Sequence, residues 1–271
     1  MLPELPQGLS SILDDRFGTA VRLAVAAGQS TLRYFRTNGF QVERKSDASP
    51  VTIADKEAEQ EIRRELAQHY PNDAILGEEF GEAGGESEYR WIIDPIDGTK
   101  SFISGVPLYS TLVGVTRNGK PSIGVIYIPP LDEIIIAAVG HGAWYRQGND
   151  PWTRARVSEQ SDLGEGLFVT SQVDTFDRRD ARAAFDRISN AAYVTRTWGD
   201  GYGYLLVATG RAEVMVDPIV NPWDVAAVMP VIEEAGGRYT DWQGLPSIQT
   251  GNGVGSNGRV HDQVLAMLQA R

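Results

Sequence analysis

The chain reads as an α+β fold that passes into an α/β half, and three observations predict it. Two long amphipathic segments open the sequence; a run of short apolar strands with tight links follows; beyond about Pro151, strand-like and helix-like stretches alternate. The 271 residues suffice for one large domain or two closely joined subdomains, with a substantial core. No internal repeat, low-complexity tract or flexible linker marks a break near residue 150. The expected organisation is therefore an α+β subdomain over 1–150 and an α/β subdomain over 151–271, packed together.

Leu13 to Phe35 carries Phe17, Val21, Ala24, Val25, Leu32 and Phe35 at helical spacing, with Gly39 after its end. Thr52 to Tyr70 is a second helix: Thr52 to Asp55 matches a capping box, and Pro71 stops it. From Arg90 the period changes. Trp91-Ile92-Ile93 is followed by Tyr109–Thr116, Ser122–Tyr127, Glu133–Val139 and Ala143–Arg146, separated by turn residues, which predicts an antiparallel meander. Gly81–Glu88 is either an ordered loop or a mobile flap, and its Gly and Glu content suggests mobility. Later strands are expected at Leu167–Ser171, Ala192–Thr195 and Ala212–Val216. Helices are expected at Asp180–Ser189, Tyr202–Thr209, Asp224–Ala235 and Val264–Leu268. Pro230 should bend the third of these, and Gly236-Gly237 should close it in a left-handed cap.

The net charge of −11 repels phosphate backbones and anionic lipid, which argues against nucleic-acid and membrane partners. An enzyme with an anionic substrate must then hide a local positive centre, which a divalent cation would supply. The absence of cysteine excludes disulfides, thiolate zinc sites and cysteine nucleophiles. Neither a signal-peptide pattern nor a run of about 18 apolar residues is present, so a cytoplasmic protein is expected.

The most informative segment is Trp91 to Thr99. An apolar strand runs into Asp94 and Asp97, three apart with Pro95 between, and then into Gly98-Thr99. Two hard oxygen ligands at a rigid turn suit Mg²⁺. Gly98 permits close backbone approach, and a helix opening at Thr99 would face its N–H groups to a phosphate. An EF-hand is excluded because Ile96 holds the third loop position, and an aspartyl nucleophile would want acids two apart. An ordinary Asp-Gly turn is the plain alternative. Glu78 follows Ala74 to Gly77, Asp224 opens a helix, and Asp55 is a capping-box acid. Each has an ordinary explanation alone (a solvated loop, an N-cap, a capping box); with the Asp-Gly turn, these explanations require four unrelated coincidences.

Four ordered segments carry a resemblance: Ser49 to Asp55, Gly77-Glu78-Glu79, Trp91 to Phe102, and Trp223 to Gly237. The chain resembles the inositol monophosphatase superfamily of Mg²⁺-dependent phosphatases. The resemblance implies a layered α-β-α-β-α sandwich, a homodimer, and two or three Mg²⁺ ions. It implies Glu78, Asp94, Asp97, Asp224 and the Ile96 carbonyl as metal ligands. Gly98 and Thr99 would hold phosphate, Thr99 and Asp55 with Glu78 would handle the attacking water, and Lys45 would lie nearby. The substrate would be a small phosphate monoester. A non-catalytic binding protein of the same fold is disfavoured, because every expected ligand position holds the right residue type.

Two segments depart from the inositol-type pattern. Asp97 to Gly105 reads Asp-Gly-Thr-Lys-Ser-Phe-Ile-Ser-Gly, and Thr197 to Tyr204 contains Gly199-Asp200; both resemble the histidinol-phosphate phosphatase branch. By that resemblance Asp200 stands where inositol phosphatases place a small pocket residue. A carboxylate there would pair with the substrate ammonium, with Asp217 as a second acid and Arg196 as a phosphate contact. A helix N-cap is the plain alternative for Asp200. Histidinol phosphate, from the late dephosphorylation step of histidine biosynthesis, is thus the expected substrate, and inositol-1-phosphate the alternative. None of His69, His141 and His261 falls in a motif.

Overall fold

The computed structural model describes residues 5–6, 9, 15–37, 42–44 and 50–270. Helix α1 (Asp15–Thr31) comes first, then a short antiparallel pair, β1 (Val42–Arg44) and β2 (Pro50–Thr52), and helix α2 (Ile53–His69). The expected start of the first helix at Leu13, and Gly39 beyond it, lie outside the described residues. That helix stops at Thr31 rather than Phe35. The N–H groups of Leu32, Arg33 and Tyr34 reach back only three residues, so the chain tightens and turns. The α2 cap is as expected: Thr52 accepts the Ala54 N–H at 3.1 Å, and Asp55 Oδ2 accepts the Thr52 N–H at 2.8 Å.

Next come β3 (Ala74–Gly77), β4 (Gly81–Ala83), β5 (Tyr89–Asp97), the short helix α3 (Thr99–Ile103), β6 (Ser110–Arg117), β7 (Lys120–Ile128), β8 (Glu133–Ala138), β9 (Gly142–Gln147) and β10 (Thr153–Arg154). These strands form one sheet in the order β10-β9-β8-β7-β6-β5-β3-β4. The expected meander is its antiparallel body; only β3 and β5 pair in parallel. The segment from Gly81 is a paired strand edge rather than an open loop. Arg63 donates to the Gly81 carbonyl, and Glu86 and Ser87 donate to the carbonyl of Asn72.

The remaining elements are β11 (Leu167–Val169), α4 (Asp174–Arg178), α5 (Arg182–Ala191), β12 (Val194–Arg196), α6 (Gly201–Ala208), β13 (Val214–Asp217), α7 (Pro222–Val225), α8 (Val228–Glu234), β14 (Arg238–Thr240), β15 (Gly253–Ser256) and α9 (His261–Gln269). Their sheet runs β12-β11-β13-β15-β14, with β11 parallel to both neighbours and β15 antiparallel to both of its own.

Alternation along the large sheet decides the layering. Trp91, Ile93, Val113 and Val125 pack with Phe17, Ala24 and Ile62 of α1 and α2. Their neighbours Ile92, Leu112 and Ile126 face the other way, onto Leu205, Val228 and Ile232. That middle layer is closed beyond by Val169, Met215 and Tyr239 of the second sheet. The outer face of the second sheet buries Phe168, Val214 and Val254 against Phe176, Ile188 and Val264. The order is α-β-α-β-α, as expected. Among the described residues no helix is long and apolar enough to cross a membrane.

The expected helix Asp224–Ala235 is two pieces, α7 and α8. Pro230 has no N–H for the Ala226 carbonyl, so the ladder breaks there. The junction lies directly on the large sheet at Gly114 and Gly124, which face each other across β6 and β7. A Cβ on Gly124 would fall 2.0 Å from the Ala227 carbonyl oxygen, so only glycine admits this approach. Gly236, at φ 90, closes α8 as expected.

Candidate active site

Strand β5 ends in an irregular turn that aims its acids. Pairing with β6 is regular to Asp94, opposite Leu112, and resumes at Asp97, opposite Ser110. Between them Ile96 drops its side chain among Ala54, Phe102 and Tyr109, which anchors the turn. The Ile96 N–H donates to Asp94 Oδ1 at 3.1 Å, and the Thr111 hydroxyl donates to the Pro95 carbonyl at 2.8 Å. Asp97 Oδ2 accepts from the Ser110 hydroxyl and from the Gly201 N–H, both at 2.5 Å. Gly98 then turns left-handed at φ 87, and α3 opens at Thr99, whose hydroxyl donates to the Ile96 carbonyl at 3.2 Å.

Asp224 reaches the same point from α7. Asn221, not Asp224, is the N-cap of α7; Asp224 is the third-position acid of a capping box, its Oδ2 accepting the Asn221 N–H at 2.7 Å, and it also faces the acids of β5. Carboxylate oxygens of Asp94, Asp97 and Asp224 all lie within 4.8 Å of one another. Glu78 follows β3, the parallel neighbour of β5, and its N–H donates to the Ile93 carbonyl at 3.3 Å. Buried Glu59 fixes the turn after it, accepting the N–H groups of Glu79 at 2.7 Å and Phe80 at 3.2 Å, with Arg63 donating to it at 2.7 Å. Gly77 is required here: a Cβ would fall 2.1 Å from Glu59 Oε1.

The electrostatics follow from this crowding. Burial pushes Asp94 well above the usual carboxylate range, and the charges of Glu78, Asp97 and Asp224 push it further. Asp97 rises through burial, then through Asp200 and Asp224. Asp224 rises to about 8, chiefly through burial and against the Asn221 N–H that favours its charged form. Asp55 is buried and rises to about 6, again chiefly through burial. Its Oδ1 has no hydrogen-bond partner among the described residues. Hard oxygens packed at the expense of their own ionisation, beside an orphaned carboxylate oxygen, form a donor set that fits a hard divalent cation.

One cleft of about 490 Å³ collects most of the expected residues: Glu78, Asp94, Ile96, Asp97, Gly98, Thr99, Asp200, Asp217 and Asp224 all line it. Asp55 lies behind that wall rather than on it. Arg196 is not on the wall either: it is exposed, donates to the neighbouring Thr195 carbonyl, and sits over the Trp198 ring with its guanidinium carbon 5.8 Å from the centroid. Lys45 lies outside the described residues. The Asp200 side chain makes no capping bond, although the residue does precede α6. Its backbone is held at φ 55 by its own N–H donating to Ser171 Oγ at 2.9 Å and by the Gly201 bond to Asp97. The carboxylate lies against Gly98, where an added Cβ would be 2.7 Å from Oδ2. Burial raises Asp200, with Ser171 and the Lys100 charge working against the rise. Asp217 rises to about 7, chiefly by burial, and accepts from the hydroxyls of Ser171 at 2.7 Å and Tyr204 at 3.0 Å. Sequence reasoning missed Glu59, Ser110 and Ser171. Ser110 could be found only from the strand register, and nothing local marks the other two.

A family model described as the inositol monophosphatase family matches residues 13–271. The chain belongs to the inositol monophosphatase family. Within it, a histidinol-phosphatase of Chlorobaculum parvum is 42% identical over 235 residues, covering 87% of this chain and 89% of that protein. A histidinol-phosphatase of Streptomyces coelicolor is 36% identical over 253 residues, covering 92% and 95%. Among solved structures, the extragenic suppressor protein SuhB of Bartonella henselae superposes with a TM-score of 0.87 at 29% identity, covering 94% of this chain and 99% of that one. This inositol monophosphatase family member is a phosphatase. The family is generally metal-dependent, and among the described residues the Asp94, Asp97 and Asp224 cluster could hold a metal.

Proposed function

We propose that this phosphatase is a Mg²⁺-dependent histidinol-phosphate phosphatase, which hydrolyses L-histidinol phosphate to L-histidinol and phosphate. The observation that carries the reading is Asp200: a carboxylate on the cleft wall, against Gly98, with no helix-capping role. A substrate with an ammonium group near its phosphate ester gives that carboxylate a partner; an inositol offers only hydroxyls. The 42% and 36% identities to histidinol-phosphatases support the same substrate.

Glu78, Asp94, Asp97, Asp224 and the Ile96 carbonyl would hold two or three Mg²⁺ ions. When bound, the ions neutralise the phosphate and acidify the attacking water. The residues do the rest. Gly98, left-handed and without a side chain, lets the phosphate reach the N–H groups that open α3. Thr99 and Glu78, which line the cleft, orient the water, and its proton passes by way of the Thr99 hydroxyl to Asp55 behind the wall, whose Oδ1 has no other partner among the described residues. Water oxygen bonds to phosphorus, the ester P–O bond breaks, and the leaving alkoxide takes up a proton. Asp200 and Asp217 hold the ammonium end. In this scheme 1–150 supplies most of the metal ligands, and 151–271 supplies Asp224 and the selecting acids. Arg196 has no phosphate contact in it. We further propose a cytoplasmic homodimer.

The test is phosphate release with Mg²⁺ from L-histidinol phosphate and from inositol-1-phosphate side by side, with an EDTA control. A strong preference for histidinol phosphate is expected. Asp200→Ala should remove that preference while sparing inositol phosphate. A preference for inositol phosphate, or equal loss on both, overturns the substrate assignment.

A further inference from the structure

The cleft has a part that neither the phosphate nor the ammonium uses. Three large apolar side chains on its wall are left uncovered: Trp198 is 41% exposed, Ile219 47% and Val106 40%. They come from three separate connections: after α3, between β12 and α6, and after β13. Apolar surface kept open at one cleft from three parts of the chain marks a ligand-facing wall. Trp198 is firmly placed. The next residue, Gly199, is pressed on the Ser171 backbone, where an added Cβ would lie 2.1 Å from Ser171 Cα. Arg196 covers part of the indole without entering the cleft.

We propose that Trp198 is a specificity-determining residue: its indole is the wall on which the flat ring of the substrate packs, and Arg196 is a positioning residue that holds the indole. The inference deepens the histidinol-phosphate reading and rests on it. Histidinol phosphate has three parts. Its phosphate belongs to Gly98 and Thr99, its ammonium to Asp200, and its imidazole to the remaining apolar wall. One residue, Gly199, separates Trp198 from Asp200, and both line the same cleft, so the ring wall and the carboxylate are neighbours on it, as the short carbon chain between ring and ammonium requires. An indole face suits an imidazole because stacked or edge-on aromatic pairs add to the gain from burial, and a guanidinium over the same indole stabilises its orientation.

The experiment compares L-histidinol phosphate with 2-aminopropyl phosphate, which keeps the phosphate and ammonium and lacks the ring. Trp198→Ala should raise KM for histidinol phosphate roughly ten-fold, with kcat and the KM for the ring-less analogue changed by less than about two-fold. Trp198→Phe should restore most of the loss. Arg196→Gln should raise KM for histidinol phosphate in the wild-type background and add nothing in the Trp198→Ala background. Equal losses on both substrates, or an unchanged KM for histidinol phosphate, overturn the proposal. Inositol-1-phosphate serves as the separating control. A wild-type enzyme that prefers it fails the substrate reading and this inference together. A wild-type enzyme that prefers histidinol phosphate while Trp198→Ala is silent fails this inference alone.

Discussion

Asp97 Oδ2 accepts the Gly201 N–H at 2.5 Å, joining two residues 104 positions apart. One carboxylate thus contributes to the acidic cluster and also ties down the segment that carries Asp200. The Ser110 hydroxyl is the second donor to that same oxygen.

Ser110→Ala should therefore act on metal binding without removing a ligand. Loss of a group that orients a ligand costs about 10–100-fold in metal affinity or activity. The Mg²⁺ concentration for half-maximal activity should rise accordingly. An unchanged Mg²⁺ requirement would show that the hydroxyl does not orient Asp97.

The acidic cluster opposes folding when no cation is bound. Asp224 in the fold titrates near 8, above the ordinary value of 3.8. The folded state then binds the extra proton between those values, and its stability falls as pH rises across that window. Asp224→Asn keeps an oxygen to accept the Asn221 N–H and removes the charge. In EDTA at pH 7.5 it should be more stable than the wild type by about 1–3 kcal/mol. Mg²⁺ should raise the Tm of the wild type by mass action and leave the variant unmoved. A variant that melts lower in EDTA would contradict this account.

Glu59 acts on the site through Glu78. Gly77→Ala drives a methyl into the Glu59 carboxylate. The overpacking should cost about 1–3 kcal/mol, seen as a lower denaturant midpoint at unchanged slope. Mg²⁺ affinity should fall as well, because the turn that places Glu78 is displaced.

Asp55 sets an expected acid limb. A base with a pKa near 6 is proton-free above that value, so kcat/KM should rise with pH through about 6 and then level. Asp55→Asn should lower the plateau by about 10²–10⁴-fold while keeping an oxygen for the α2 cap. A profile in which the variant retains the wild-type plateau would remove Asp55 from the chemistry.

His261 is a separate, structural titration. It is fully buried between the hydroxyls of Thr240 at 2.9 Å and Ser256 at 2.8 Å. Burial, with Arg238 nearby, lowers it to about 4. The unfolded chain takes a proton near 6.5 and the folded chain does not, so stability falls as pH drops from about 6.5 to 4, by about 3 kcal/mol. His261→Asn should be less stable at pH 7.5 and should lose less on going to pH 5. Parallel pH curves for the two proteins would count against it.

The elements that were legible in the sequence are those whose side-chain period is undisturbed. The meander announces itself through β-branched residues in alternation, and the site through acids at the ends of apolar runs. Strand β15 does not. Its Gly253 and Gly255 lie against Tyr239 and Tyr204, where a Cβ would come within 2.5 Å of the Tyr239 hydroxyl oxygen and 2.8 Å of the Tyr204 ring, so close packing has erased the apolar pattern. The break between α7 and α8 was only half visible: Pro230 signals a bend, but the sheet surface that receives it is set by two glycines far away. Arg196, expected at the phosphate, ends strand β12 and is turned onto Trp198; a local pattern does not orient that strand end. Ser171 reaches Asp200 and Asp217 only through the packing of β11 beside β13.

The seating of the α7–α8 junction against Gly114 and Gly124 has a consequence for biosynthesis. Asp94 and Asp97 emerge from the ribosome well before Asp224, and the cluster closes only after the later helix has docked on strands made much earlier. A half-made chain carries acids but no cage. Cation binding by this cluster would thus come late in the maturation of the enzyme, once the α7–α8 junction has seated on the first sheet.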